Sequence, residues 1–410
     1  MTGRIVYHCR ARHAYTVAGW RGLIAAAPDM PDFDLETYEA MRDDMPPTPG
    51  THVFTDTDRL DVSGMEAAVA LARRVAAAGP GYAVANWPNF VLGRYELLRL
   101  LHDSGHNLFC CHRMDERPQK LRYPVFVRRE RDHLGSATPL LHSARELAAA
   151  LRRLLIEQGW RREDVLIVEF VETDRIEGHF AKYAAYCAYG EIHPANMVIS
   201  TSWVAKADRV ASEAAYAAEK VYLESNPHAA RLAELFRLAN IDYGRIDYGL
   251  KDGKIQVFEI NTNPELISPA GWSDTERRER VLRPWQVPAL RATFRRLARA
   301  SDRASVLPAP SGMGGLSEFH VMVQRCRAAA ERGEAASQLE LARMCSQGLW
   351  LPRDQVQAYK WLELAISRLP QDASGACAEA VRAREQLAMQ MTASQVAEAR
   401  RLAAEWTPSP

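Results

Sequence analysis

Residues Arg245–Asn263, RIDYGLKDGKIQVFEINTN, read as two strands joined at Lys251-Asp252-Gly253. Asp-Gly between apolar runs is a strong hairpin signal. Loop length then decides which side chains share a face. A two-residue loop at Asp252-Gly253 pairs Leu250 with Ile255 and sets Asp247 opposite Phe258, so Asp247 and Glu259 face opposite ways. A three-residue loop with Gly253 left-handed at a bulge pairs Leu250 with Lys254 and Asp247 with Val257. Side chains alternate with period two, so Arg245, Asp247, Gly249, Val257, Glu259 and Asn261 then share one face. Ile246, Tyr248, Leu250, Phe258 and Ile260 take the other. The second reading sorts polar from apolar better and is the expectation adopted.

That polar face holds two carboxylates, a carboxamide oxygen and an arginine. Hard oxygen ligands of this kind suit Mg²⁺ held together with phosphates. The plainer alternative is the solvated face of an edge hairpin.

The chain of 410 residues is long enough for two or three domains, and 25% charged with 47% hydrophobic residues is ordinary for a globular protein. A net charge of +1 supplies no electrostatic argument for nucleic acid or an anionic membrane. The seven cysteines are odd in number and scattered, which is no disulfide framework and suits a reducing compartment. The opening MTGRIVYHCRARH carries no apolar signal core. No run approaches the ~18 apolar residues of a membrane helix, so a cytoplasmic protein is expected.

Residues 1–115 are expected to form an α/β domain, with strands at Arg4–His8 and His52–Thr55 around a Pro-punctuated, loop-rich stretch. Met65–Ala78 is an Ala-rich helix, and Phe90–Asp103 an amphipathic one stopped by Gly105. His8-Cys9 and Cys110-Cys111-His112 lack the ligand spacing that zinc needs. Tyr123–Arg128 reads as a strand ending in a cation, followed by a Gly/Ser/Thr loop at Gly135-Ser136-Ala137-Thr138, an arrangement able to clamp polyphosphate. Ser143 and Glu146 announce the next helix. Val165–Val171, Phe180–Ala188 and Ile192–Ser200 read as strands, with Trp203 and Lys206 in the loop beyond. The Pro/Gly/Ser-rich residues 303–319 read as a linker, and residues 320–410 as an all-α module.

Taken together, these residues resemble the ATP-grasp superfamily of carboxylate–amine ligases. The resemblance covers residues 86–265 and is carried by Asp247…Phe258-Glu259-Ile260-Asn261-Thr262-Asn263-Pro264. It implies an α/β (α+β) fold with a pre-ATP-grasp domain, an ATP-grasp domain over residues 116–302, and Mg²⁺ on Asp247, Glu259 and Asn261. It also implies ATP contacts from Arg128, Gly135, the adenine-edge strand Glu169-Phe170-Val171, and Lys182. Arg128 departs from the pattern, standing where lysine is usual, and its planar fork alters the pose of a phosphate. Residues 333–369, with Leu341-Ala342-Arg343-Met344…Gly348…Ala358…Trp361, resemble a single Sel-like helical repeat, which implies a protein partner.

The expected activity is ATP-dependent ligation: a small-molecule or peptide carboxylate becomes an acyl phosphate that an amine then attacks. Lys182 and Arg245 are the candidate catalytic cations. A kinase on the same scaffold and a nucleotide-binding scaffold serving the helical module are the alternatives.

Overall fold

The computed structural model describes the chain apart from residues 1–2, 18–29, 42–44, 115, 117–120, 133–134, 206–208, 267–274, 303–325, 328, 348–353, 370–373 and 409–410. Lys206, Gly348 and the expected linker at 303–319 therefore lie outside the described residues. The chain divides into two compact units, Met1–Ala309 and Pro310–Pro410.

The first unit is mixed α/β and contains three sheets. β1 (Arg4–Cys9), β2 (Asp32–Thr37), β3 (Gly50–Phe54) and β4 (Tyr82–Ala85) form a parallel sheet in the order β2-β1-β3-β4. Central β1 and β3 are buried almost throughout, as strands of a covered parallel sheet must be. Strands β2 and β4 are additions to the sequence reading. β2 reads DFDLET, an edge strand whose three acids give no apolar signal, and Arg4 pairs with Asp32 and Asp34 instead. α1 (Val62–Ala77), N-capped by the Asp61 carboxylate accepting from Gly64 N–H, covers β3 and β4.

The second sheet has the antiparallel order β5-β7-β6, from β5 (Cys111–Arg113), β6 (Val125–Arg129) and β7 (Val165–Glu169). α2 (Arg94–Asp103) lies against β5, and α3 (Ala144–Arg152), N-capped by Ser143, packs Leu147 and Ala150 onto Val125, Val127 and Ile167.

The third sheet is antiparallel: β8 (Arg175–Ile176), β9 (His179–Ala188), β10 (Glu191–Ser200), β11 (Tyr243–Lys251) and β12 (Lys254–Asn261). Its order is β10-β9-β11-β12, with β8 on β9. α4 (Glu213–Ser225) and α5 (Ala229–Leu238) pack on β10. α6 (Val287–Asp302) touches both the first and third sheets, and its Phe294 and Leu297 join Tyr7, Val53, Tyr186 and Tyr243 in one core. The hairpin and the N-terminal sheet therefore share a single hydrophobic interior.

The second unit is helical: α7 (Ala335–Gln347), α8 (Gln355–Ile366), α9 (Ser374–Ala388) and α10 (Ala393–Ala404). Leu341, Ala358, Trp361 and Leu362 lie in its core, and a Thr392–Gln395 capping box starts α10. Among the described residues no helix is long and apolar enough to cross a membrane.

Candidate functional site

The hairpin is tighter than expected. Leu250 pairs with Ile255 and Lys251 with Lys254, so the turn holds only Asp252 and Gly253. Both have positive φ, +50° and +72°, as a two-residue turn of matching twist requires. The extra residue sits instead in β12: Tyr248 pairs with Val257, Asp247 pairs with Glu259, and Phe258 is left over between them. The expected bulge at Gly253 is thus corrected to a bulge at Phe258. A one-residue offset anywhere in the ladder flips every later side chain, so Asp247 and Glu259 still come to one face. Val257 moves to the face of Tyr248, and Phe258 joins the pocket beside Glu259.

The hairpin is pinned at its ends by asparagine side chains. Asn86 accepts the N–H groups of Asp242 and Tyr243 at 2.8 and 2.9 Å and donates to the Tyr243 carbonyl at 2.8 Å. Beyond β12, Asn263 Oδ1 accepts from Tyr7 Oη at 2.9 Å and Thr16 Oγ1 at 2.6 Å, while its Nδ2 donates to Asp56 Oδ2 at 2.8 Å. His8, raised above as a poor metal candidate, stacks on Phe54 and meets His52 at 2.9 Å. His13 is held by Asp56 at 3.0 Å, and Arg10 donates its N–H to the same carboxylate at 3.2 Å.

Four cations converge on the two hairpin carboxylates. Lys182 Nζ donates to Asp247 Oδ2 at 3.3 Å and Arg245 Nε to Asp247 Oδ1 at 2.9 Å. Arg94 Nη2 and Arg128 Nη2 donate to Glu259 Oε2 at 2.9 and 3.0 Å. Burial alone would raise the Glu259 carboxyl, but Arg128, Arg94 and Lys182 hold it well below the usual range. Burial pulls Arg128 down, helped by the like charge of Arg94. Arg94, at the start of α2, was not singled out from the sequence; an arginine opening an amphipathic helix carries no local sign of its partner 165 residues away.

Asp247 and Glu259 line a cleft enclosing about 890 Å³, its open mouth included. Arg128, Gly135, Ser136 and Lys182 line it, together with Phe126, Phe170, Phe180, Trp203 and Phe258 and with Glu169 and Val171. The Trp203 ring lies 4.9 Å from Phe126 and 5.7 Å from Phe170, centroid to centroid. Arg245 and Asn261, paired opposite each other, lie two residues along the same face and are not among the lining residues.

The Glu169 side chain has a role the sequence did not indicate. Its carboxylate accepts from Arg122 Nη2 at 2.7 Å and from Cys110 N–H at 3.1 Å, with His112 at 3.8 Å. Burial opposes its charge, yet nearby His112 and the bonds from Arg122 and Cys110 bring it down to about 2 from 4.5. A depressed carboxyl stabilises the fold above its unfolded value and loses that contribution as pH falls through the folded one. Stability is therefore expected to drop between about pH 4.5 and about pH 2, and Glu169→Gln to flatten that limb of a denaturation-versus-pH curve. An equally steep limb in the variant would contradict this.

Gly249 sits beneath the pocket. A Cβ there would meet Thr173 Cγ2 at 2.6 Å and Phe258 Cζ at 2.9 Å. Thr173 is buried and stiff at χ1, so Gly249→Ala is expected to cost about 1–3 kcal/mol in denaturant unfolding and to displace Phe258 into the cleft.

The donor set was tested against Mg²⁺ and ATP. Among the described residues no group of three His, Cys, Asp or Glu could hold a metal unaided. The hairpin offers two carboxylates, and the Asn261 carboxamide oxygen already accepts the Asn263 N–H at 2.9 Å. Such a set fits a hard cation only when phosphate oxygens complete it. The four cations leave two positive charges in excess of the two carboxylates, and among the described residues the buried Arg128 Nε has no hydrogen-bond partner. Both features suit a polyphosphate.

No family model matches the chain, and no curated protein matches it. Among solved structures it is similar to the L-amino acid ligase from Bacillus licheniformis, with 16% identity, coverage of 75% of this chain and 78% of that one, and a TM-score of 0.40. It is similar to the D-alanine–D-alanine ligase from Coxiella burnetii, with 15% identity, coverage of 80% and 99%, and a TM-score of 0.44. A third is the ATP-grasp ligase PsnB complexed with minimal precursor, with 13% identity, coverage of 72% and 100%, and a TM-score of 0.41. At these scores family membership does not follow from the likeness.

Proposed function

We propose that the chain is an ATP-dependent ligase of the ATP-grasp type, joining a carboxylate to an amine. The observation that carries this reading is the pairing of Asp247 with Glu259 in a cleft lined both by the cations Arg128 and Lys182 and by aromatic rings. Asp247 and Glu259, with Asn261 beside them, would hold Mg²⁺, which supplies charge neutralisation for phosphoryl transfer when bound with ATP. Arg128 and Lys182, now on the carboxylates, would turn to the phosphate oxygens, and Gly135 and Ser136 would cover them. The aromatic walls would receive adenine. Glu169 N–H donates to the Cys110 carbonyl at 3.0 Å and Phe170 N–H to the Pro124 carbonyl at 2.9 Å, which leaves the Glu169 carbonyl and Val171 N–H as the adenine edge.

In the reaction, a substrate carboxylate oxygen takes the γ-phosphoryl group and ADP leaves. The amine then attacks the carbonyl carbon, inorganic phosphate departs, and the amine's proton passes to solvent. Lys182 and Arg245 would steady the charge that gathers on the transferring group. The second unit would recruit a protein partner as a Sel-like repeat does, and the protein would work in the cytoplasm.

Incubating the protein with Mg-ATP and panels of amino acids, small carboxylates and peptides tests the reading, with ADP assayed and new amides sought by mass spectrometry. The expected result is ADP and amide in equal amounts. A stable phosphorylated product without amide would make the protein a kinase, and no Mg-ATP binding by calorimetry would make it a scaffold.

A further inference from the structure

α2 and the turn after it grip β12 on both sides of the bulge. From the first turn of α2, Arg94 reaches Glu259. Past its last turn, where Gly105 takes φ +74°, Asn107 donates its own N–H to the Leu101 carbonyl at 2.8 Å and is thereby fixed to the helix end. The Asn107 side chain is 3% exposed and meets only one residue of β12 through two bonds. Its Nδ2 donates to the Val257 carbonyl at 2.9 Å, and its Oδ1 accepts the Val257 N–H at 2.9 Å. β12 is the sheet's edge strand, so the amide stands where a neighbouring strand would be.

Val257 is the last residue in step with the turn, and Phe258 follows as the extra residue. Without the bulge, Phe258 would oppose Asp247, and Glu259 would face away from it. A rigid helix that holds Val257 at one end and Glu259 at the other admits the bulged path, because only that path turns Glu259 toward Arg94. We propose that Asn107 is the positioning residue that sets the register of β12 and so places Glu259 on the face of Asp247. The proposal rests on reading that face as the Mg-nucleotide site. Asn107 touches no reacting group; it acts through Val257 and Glu259.

Two variants test this. Asn107→Leu removes both bonds. Asn107→Asp is isosteric: ionised, it sets an oxygen against the Val257 carbonyl; protonated, it restores a donor and an acceptor. Calorimetry with ADP, with and without Mg²⁺, gives the increment in affinity that the metal confers. Both variants are expected to lose about tenfold or more of that increment near neutral pH while metal-free ADP affinity stays within about twofold. Between about pH 7.5 and about pH 5.5, Asn107→Asp should recover toward wild type and Asn107→Leu should not. His106, which is bonded to Arg231, is common to all three proteins, so any change in its charge cancels in the comparison. Equal losses with and without metal, or no acid recovery, would reduce Asn107 to an ordinary structural amide and overturn the proposal. If the wild type binds no nucleotide, the functional reading fails, and amide hydrogen exchange still decides the register. Lost protection at Val257, Phe258 and Glu259 in Asn107→Leu upholds the pin; unchanged protection removes it.

Discussion

Replacing Glu259 by glutamine is expected to lower Mg²⁺-dependent ATP turnover by about two to three orders of magnitude or more, with the fold intact. Glutamine keeps the shape and one carbonyl oxygen, so Arg94 and Arg128 retain an acceptor at the present 2.9 and 3.0 Å. What it removes is the negative charge. Three cations now hold Glu259 ionised, and a Mg²⁺ ion beside two phosphates would replace them as its partner. A neutral amide is a poor ligand for a hard cation, and the two arginines would then compete for the phosphates themselves. Turnover assayed across a Mg²⁺ titration, beside a thermal melt of the same preparation, measures both halves of the expectation. Full turnover at ordinary Mg²⁺ would remove Glu259 from the metal site.

Asp56→Ala is expected to cost about 3–5 kcal/mol of unfolding free energy. Asp56 is 2% exposed and stands in the left-handed region at φ +56°, which asparagine and aspartate tolerate better than alanine. Its carboxylate accepts from Arg10 N–H, His13 Nδ1, Arg59 Nη1 and Asn263 Nδ2 at 3.2, 3.0, 3.0 and 2.8 Å. Removing it strands the largely buried Arg59 guanidinium and frees Asn263, the pin between the hairpin and the N-terminal sheet. Urea unfolding measures the loss; a change below about 1 kcal/mol would show the junction held by apolar packing alone.

Much of the first unit was legible because its strands are apolar runs and its helices carry their own caps and stops. β1, β3, β9 and β10 and the helix at Ser143 belong to this kind. Strand β2 was not, since its acids mask the signal while Phe33 and Leu35 pack on a core built from remote residues and Arg4 on its neighbour pairs with Asp32 and Asp34. Arg94 as a partner of Glu259 and Trp203 as a pocket residue were illegible for the same reason: their partners are remote in the chain. The Glu169 carboxylate was read as part of a strand edge, whereas Arg122 and Cys110 make it a latch between β7 and the segments before β6 and β5.

The hairpin divides the two kinds of information most sharply. Its existence, a turn within Lys251-Asp252-Gly253 and the oxygen-rich content of its strands are local facts, set by turn-forming residues and by side-chain type; the exact turn length was not, since a three-residue loop was expected and a two-residue turn is found. The placement of the offset is not local. A free ladder could shift at Gly253 or further along, and the alternation of residues alone favoured Gly253. The tertiary structure puts it at Phe258, because α2 holds Val257 by its main chain and Glu259 by its charge, and only a bulge between them satisfies both contacts.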